Sequence, residues 1–397
     1  MEKVVEKVPY FKFKRFFIGI LVVSVASTLL FWKLGNLTKG FAPQEIVFLQ
    51  QSSSIHSIIN NPINAPQKLL QFGILKAGFT STFAMRVVSV LFAALLLLTF
   101  FYWIKSWTTR RMATLSTILL ICSSWFLNNA RVATPQMLQS FLLTLAFYFV
   151  VFQAKSKKNK TKILLATLIL SLSIYVPGLI WLLIPVILWR GKSIITKLRR
   201  ASLTLTILSV FILIVLVAPL IISFLNNPSL IRDYIGLPTI AITPLQWLKN
   251  FASTPISVLF YTNQPAYVWL NSTALLDIFC AAMAIIGSIR LSYFYKSRRS
   301  ILVFGSIIIL AIAIGFGGLV RISIIMPLVY LLIAKGMVLI LQQWFTVFPK
   351  NPFARTLGAT IITSSVLIAS FYGVYKYFVA WPNSPNTKVA FSSRQNY

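Results

Sequence analysis

Side chains able to do acid–base or nucleophilic chemistry are few enough in this chain to be taken one at a time. The acids are Glu2, Glu6, Glu45, Asp233 and Asp277, the one histidine is His56, and the two cysteines are Cys122 and Cys280. Both cysteines fall in apolar runs, where a thiol is neutral and inert, and Glu2 and Glu6 belong to a basic, solvated tail. Glu45 follows Pro43-Gln44, where a proline can open a helix at its first turn. Its carboxylate is either a favourable charge at a helix N-terminus or a general base, and the residues alone leave both open. His56 comes eleven positions later. On one continuous helix that puts it about 16 Å away, too far for both to act on one atom. Asp233 adjoins Arg232 and can form a solvated pair with it. Asp277 stands inside the start of an apolar run, where an unpaired charge costs about 2.5 to 3.5 kcal/mol. It should therefore face other helices, as a structural partner or as a substrate contact. So dispersed a set of carboxylates cannot cage a metal, and two cysteines in apolar runs give no disulfide frame, so neither metal nor cofactor is expected.

Cations offer more. Lys76, Arg86, Arg131 and Arg321 lie near the same ends of successive apolar runs. Arg131 closes the turn Asn128-Asn129-Ala130-Arg131, and Arg321 follows the flexible Gly315-Phe316-Gly317-Gly318. If that end is the outer one, their charge runs against the positive-inside bias. A bound phosphate would account for them through charge-assisted hydrogen bonds; snorkelling to anionic lipid is the plainer account.

The elements that must position these residues are membrane spans. The chain is 58% hydrophobic and 11% charged, against roughly 25% charged in a soluble domain. Apolar runs predict an all-α polytopic membrane protein of about eleven transmembrane helices. They fall near 16–31, 83–104, 112–127, 137–153, 163–175, 177–189, 201–224, 273–291, 301–316, 322–341 and 356–378. The net charge of +32 collects in short groups such as Lys155 to Lys162 and Arg190 to Arg200. With the N-terminus inside, most Lys and Arg fall on the inner side, so topology accounts for the charge and no nucleic-acid partner is expected. Those two clusters share a side only if Val176-Pro177-Gly178 is a turn between two spans and not a kink in one. The basic, apolar start is expected to be an uncleaved span, since Phe31-Trp32-Lys33 offers no small-residue cleavage site. One domain is expected over 1–380, with long outer loops at 32–82 and 225–272, and an outer tail over 381–397. The mixed patterns of Glu45 to Ile59 and Pro244 to Phe251 suggest amphipathic helices along the membrane surface in those loops.

Taken in order, these pieces resemble the GT-C superfamily of membrane glycosyltransferases, in the branch of protein O-mannosyltransferases and lipid A aminoarabinose transferases. The resemblance runs from about Phe16 to Leu341. A first span leads to an outer loop opening on Pro43-Gln44-Glu45 and closing on Pro66-Gln67-Lys68-Leu69-Leu70 and Lys76-Ala77-Gly78-Phe79-Thr80. Arg86-Val87-Val88-Ser89, the segment Ser123 to Arg131, and Arg321 with Pro327 follow. The resemblance implies transfer of a sugar from a polyprenyl-phosphate carrier, with inversion, to an acceptor hydroxyl on a glycan, lipid or protein at the outer face of a cell membrane. It implies Glu45 as base, Arg86, Arg131 and Arg321 on the phosphate, and Lys76 and Gln44 as further substrate contacts. One position departs from the pattern: the motif's first acid is here Gln44, an amide that can orient a hydroxyl but cannot take its proton. A degenerate relative with a scaffold role is the alternative, and a lipid or sugar transporter is a third.

Overall fold

The computed structural model describes residues 10–38, 40–155, 159–186, 196, 203–238, 242–262, 265, 268–270 and 273–392. Residues 156–158 of the Lys155 to Lys162 cluster, all of the Arg190 to Arg200 cluster but 196, the far end of the 177–189 segment and parts of the aromatic stretch from Tyr261 to Trp269 lie outside them, as do Glu2, Glu6 and the last five residues. Five helical stretches, Thr82–Trp107, Leu203–Asn226, Arg298–Gly315, Ile322–Val347 and Pro352–Asn383, are long and apolar enough to cross a bilayer. Four shorter apolar ones are Ile20–Phe31, Gln136–Phe149, Ile163–Ile174 and Ile278–Ser292. With no strand among the described residues, the chain is an all-α polytopic integral membrane protein.

After α1 (Tyr10–Phe31) the first long loop folds into α2 (Pro43–Gln51), α3 (Ile55–Asn60) and α4 (Ala65–Lys76). Pro43 does open α2, but Ser52 to Ser54 separate α2 from α3, so Glu45 and His56 share no helix. The bundle continues through α5 (Thr82–Trp107), α6 (Arg110–Cys122), α7 (Ser124–Ala130), α8 (Gln136–Lys155) and α9 (Asn159–Ile174). The expected 112–127 span is thus two pieces. Ser123 ends α6 in an extended conformation and its hydroxyl accepts the Phe126 N–H at 3.1 Å, which caps α7. The Asn128 to Arg131 turn is accordingly helical as far as Ala130. The chain turns after Ile174, with Gly178 at a φ of +85° that a side chain would resist, before the helical residues 180–186, α10.

Then follow α11 (Leu203–Asn226), α12 (Ser229–Ile235), α13 (Pro244–Leu259), α14 (Ile278–Ser292) and α15 (Arg298–Gly315). A 3-10 turn, Ile322–Ile325, leads into α16 (Met326–Val347), which is followed by α17 (Pro352–Tyr375). The π turn Lys376–Ala380, α18 (Trp381–Asn383) and α19 (Pro385–Ser392) complete the described chain. Asp277 does not lie within a span as expected. It precedes α14 as its N-cap, its Oδ1 accepting the Cys280 N–H at 2.8 Å, because an acid gains more by satisfying an orphan N–H than by sitting inside the helix.

The core is continuous through α5, α6, α8, α14 and α16. Helices α14 and α16 meet backbone to backbone, which requires glycine: a Cβ on Gly287 would stand 1.9 Å from the Leu332 carbonyl oxygen, and one on Gly336 2.1 Å from that of Met283. Dispersion at such close approach is what holds helices together where lipid removes the hydrophobic drive. A second cluster, Ile58, Ile63, Ala65, Tyr175, Leu220 and Tyr234, fastens the first-loop helices to the turn after α9 and to α11 and α12. The Asn64 N–H donates to the Tyr175 carbonyl at 2.8 Å, and the Ser223 hydroxyl to that of Ile59.

Candidate functional site

Glu45, on the first turn of α2, is fully buried and fully engaged. Its Oε1 accepts from Arg86 Nε at 2.8 Å and from the Ala133 N–H at 2.7 Å; its Oε2 accepts from Arg86 Nη2 at 2.8 Å and from the Ala42 N–H at 2.7 Å. A carboxylate has about four acceptor positions, and all four are filled. The bidentate pair joins α2 to α5, the Ala133 bond adds the α7–α8 connection, and Arg86 Nη2 also donates to the Gly40 carbonyl at 3.0 Å. Glu45 therefore points into the protein, toward one expected phosphate ligand, and the two neutralise each other.

Arg131 is likewise spent internally. It donates to the Leu29 carbonyl at 2.6 Å and the Trp32 carbonyl at 2.5 Å, closing the C-terminal end of α1 where a cation is favoured. Its guanidinium lies 5.4 Å from the Tyr377 ring and 4.8 Å from that of Phe378. Burial lowers its pKa, against the raising influence of Tyr377. Arg321, before the 3-10 turn, and Lys76, in the last turn of α4, are exposed, and Gln44 is half-buried beside Glu45. The structure brings Glu45, Arg86 and Arg131 into one neighbourhood and leaves Lys76 and Arg321 on the surface. His56 is exposed, its Nε2 3.0 Å from Asn60 Nδ2, and Asp233 forms no ion pair with Arg232.

The charged group that sequence reasoning passed over is Lys68. It is 1% exposed on α4, and it has no carboxylate partner: its Nζ donates to the Asn61 carbonyl at 2.7 Å and lies 5.7 Å from the Phe48 ring. Burial lowers its pKa to about 7. Around it is a polar interior. Gln67 Nε2 donates to Ser89 Oγ and to the Thr134 carbonyl, each at 3.0 Å, and Ser52 Oγ to Gln71 Oε1 at 3.1 Å. Gln67 Oε1, Gln71 Nε2, Gln139 Oε1 and Ser323 Oγ are buried with no protein partner. The signal was in the pattern of α4. Its buried face carries Gln67, Lys68 and Gln71, while Leu69 and Leu70 are exposed, the reverse of a helix packed on an apolar core. A helix between lipid and a polar interior has that inverted pattern.

No family model matches the sequence, and no curated protein matches it. Among solved structures, ArnT from Cupriavidus metallidurans in the apo state is similar at a TM-score of 0.57 and 12% identity, over 95% of this chain and 77% of that one. The same protein bound to undecaprenyl phosphate is similar at 0.53 and 11% identity, over 94% of this chain and 76% of that one. Over nearly its whole length the chain therefore has a fold similar to that of ArnT.

Proposed function

We propose that this protein takes a sugar from a polyprenyl-phosphate carrier and passes it to an acceptor hydroxyl. The observation that carries this is Lys68, a buried ammonium without a counter-charge in a fold whose structural neighbour ArnT has been solved with undecaprenyl phosphate. Leaving an ammonium buried and unpaired is costly, and a carrier phosphate would supply the missing charge. In the reaction the acceptor oxygen attacks the anomeric carbon, the bond from that carbon to the phosphate oxygen breaks, and the phosphate leaves on its lipid. Lys68 would stabilise the charge that develops on the leaving oxygen, in a water-poor site where such stabilisation is strong. The amide atoms left without a partner, Gln67 Oε1, Gln71 Nε2 and Gln139 Oε1, are suited to sugar hydroxyls. Arg321 and Lys76 remain candidates to guide the carrier headgroup from the surface. The acceptor's proton needs a base, and Glu45 can take that role only if one of its four bonds opens as substrates enter. The loops that hold these residues are proposed to lie outside the membrane, with the N-terminus inside.

That filled carboxylate, together with Gln44, favours a second reading: a GT-C-like protein that holds the carrier and transfers nothing. The two share a first test. Undecaprenyl phosphate titrated into the protein in nanodiscs should bind the wild type at least about tenfold more tightly than Lys68→Met, the loss expected of a charge-assisted contact. Equal binding would overturn both. Release of labelled sugar from carrier to added acceptors then separates them, transfer supporting the enzyme and its absence from every carrier the scaffold.

A further inference from the structure

Apart from the Lys68 interior, a cavity of about 540 Å3 opens between α14 and α17, and Asp277 and Lys376 both line it, with Thr273, Ser365 and Tyr372. The two charges are not an ion pair; among the described residues Arg86–Glu45 is the only one. Lys376 begins the π turn that follows α17, a local widening of the kind often found at binding sites. It is buried, donates from Nζ to the Ala274 carbonyl at 2.9 Å, and lies 4.5 Å from the Trp269 ring. An ammonium has three N–H donors, so this cation has capacity for an anion. Asp277 caps α14 through one oxygen and faces no cation at ion-pair distance. Beside these polar groups the walls are apolar and open: Ile278 is 91% exposed and Ile368 70%.

We propose that this cavity binds the headgroup of a zwitterionic aminophospholipid of the phosphoethanolamine type. The lipid phosphate meets Lys376, its ammonium meets Asp277, and its acyl chains lie along Ile278 and Ile368. A simple anion would have to sit beside the Asp277 carboxylate and a simple cation beside Lys376. A ligand carrying both charges satisfies both. A primary ammonium donates hydrogen bonds to a carboxylate where a quaternary choline cannot, so the site distinguishes two lipids of equal net charge. The proposal does not depend on sugar transfer.

The test is mass spectrometry of the intact protein released from nanodiscs made of equal parts of dioleoyl-phosphatidylethanolamine, -phosphatidylcholine and -phosphatidylglycerol, counting retained lipids. The wild type should retain phosphatidylethanolamine about tenfold over phosphatidylcholine. Asp277→Asn, which keeps an N-cap able to accept the Cys280 N–H, should bring that ratio close to one, and Lys376→Gln should lower retention of phosphatidylethanolamine. Undecaprenyl phosphate binding should be unchanged in Asp277→Asn, which separates this site from the proposed carrier site. Equal retention of the two zwitterionic lipids by the wild type, or a preference that survives Asp277→Asn, would overturn the proposal. So would preferential retention of phosphatidylglycerol, which would make the cavity a simple anion site. If Lys376→Gln fails to fold, Asp277→Asn alone decides.

Discussion

Glu45 and Lys68 are the two residues whose surroundings say most, and they say opposite things. Glu45 has every acceptor position occupied, so replacing it by Gln removes the only counter-charge of a buried guanidinium. Breaking one side of such a pair typically costs about 3 to 5 kcal/mol. Glu45→Gln should therefore unfold at markedly lower temperature in detergent, and Glu45→Gln combined with Arg86→Met should recover much of the loss. A Glu45→Gln protein as stable as the wild type but devoid of transfer would instead point to a base. Lys68 has too few partners, and its pKa of about 7 against 10.5 for a solvated lysine makes the proposed phosphate binding pH-dependent. Below about pH 7 the free protein already holds the proton, so lysine contributes no slope. Above it the proton must be taken up with the phosphate, and affinity should fall by up to about tenfold per pH unit. By the same linkage the empty protein gains stability as pH rises from about 7 toward 10.5, because the unfolded chain then binds more protons. Titrations of undecaprenyl phosphate between pH 7 and 9 should show the slope in the wild type and lose it in Lys68→Met.

At the scale of elements, the helices were legible from the sequence because lipid as solvent demands long apolar runs and leaves few other solutions. Pro43 and Pro244 gave the starts of α2 and α13 for a comparable reason, since proline fits a first turn and little else in a helix. What hydropathy could not show was Ser123, a single extended residue that divides α6 from α7 inside an unbroken apolar run. Nor could it show that Asp277 caps a helix instead of entering it. Both are decided by local hydrogen bonds, to which a hydropathy average is blind. Of the candidate site, the acidic motif and the cation-bearing segments were legible, but their pairing was not, because Glu45 and Arg86 are brought together by packing across 41 positions. The glycines are a further case. Gly287 and Gly336 look incidental in sequence, yet each touches a backbone carbonyl of the facing helix. Gly336→Val should push α14 from α16 and lower stability by about 1 to 3 kcal/mol or more, read as a fall in unfolding temperature in micelles. A neutral outcome would mean that the two helices separate freely.

For the molecule as a whole, the proposed sidedness rests on where the positive groups fall in the sequence, and it is open to direct measurement. A cysteine placed at exposed Ser53, in the loop between α2 and α3, should react with an impermeant maleimide added to intact cells. One placed at exposed Lys350, between α16 and α17, should react only after the membrane is opened. The native Cys122 and Cys280 are buried and should contribute little background. Reaction at Lys350→Cys in intact cells would invert the topology and remove the proposed site from the outer face. The reach of Arg131 from the first helix to the π turn after α17 has a consequence for synthesis. Its guanidinium holds the Leu29 and Trp32 carbonyls at the end of the first helix and is covered by Tyr377 and Phe378, residues synthesised long after it. Until the ribosome has delivered that segment, α1 is tied to a cation whose aromatic cover does not yet exist. A chain stopped short of Tyr377 therefore leaves the Arg131 guanidinium holding α1 without its aromatic cover.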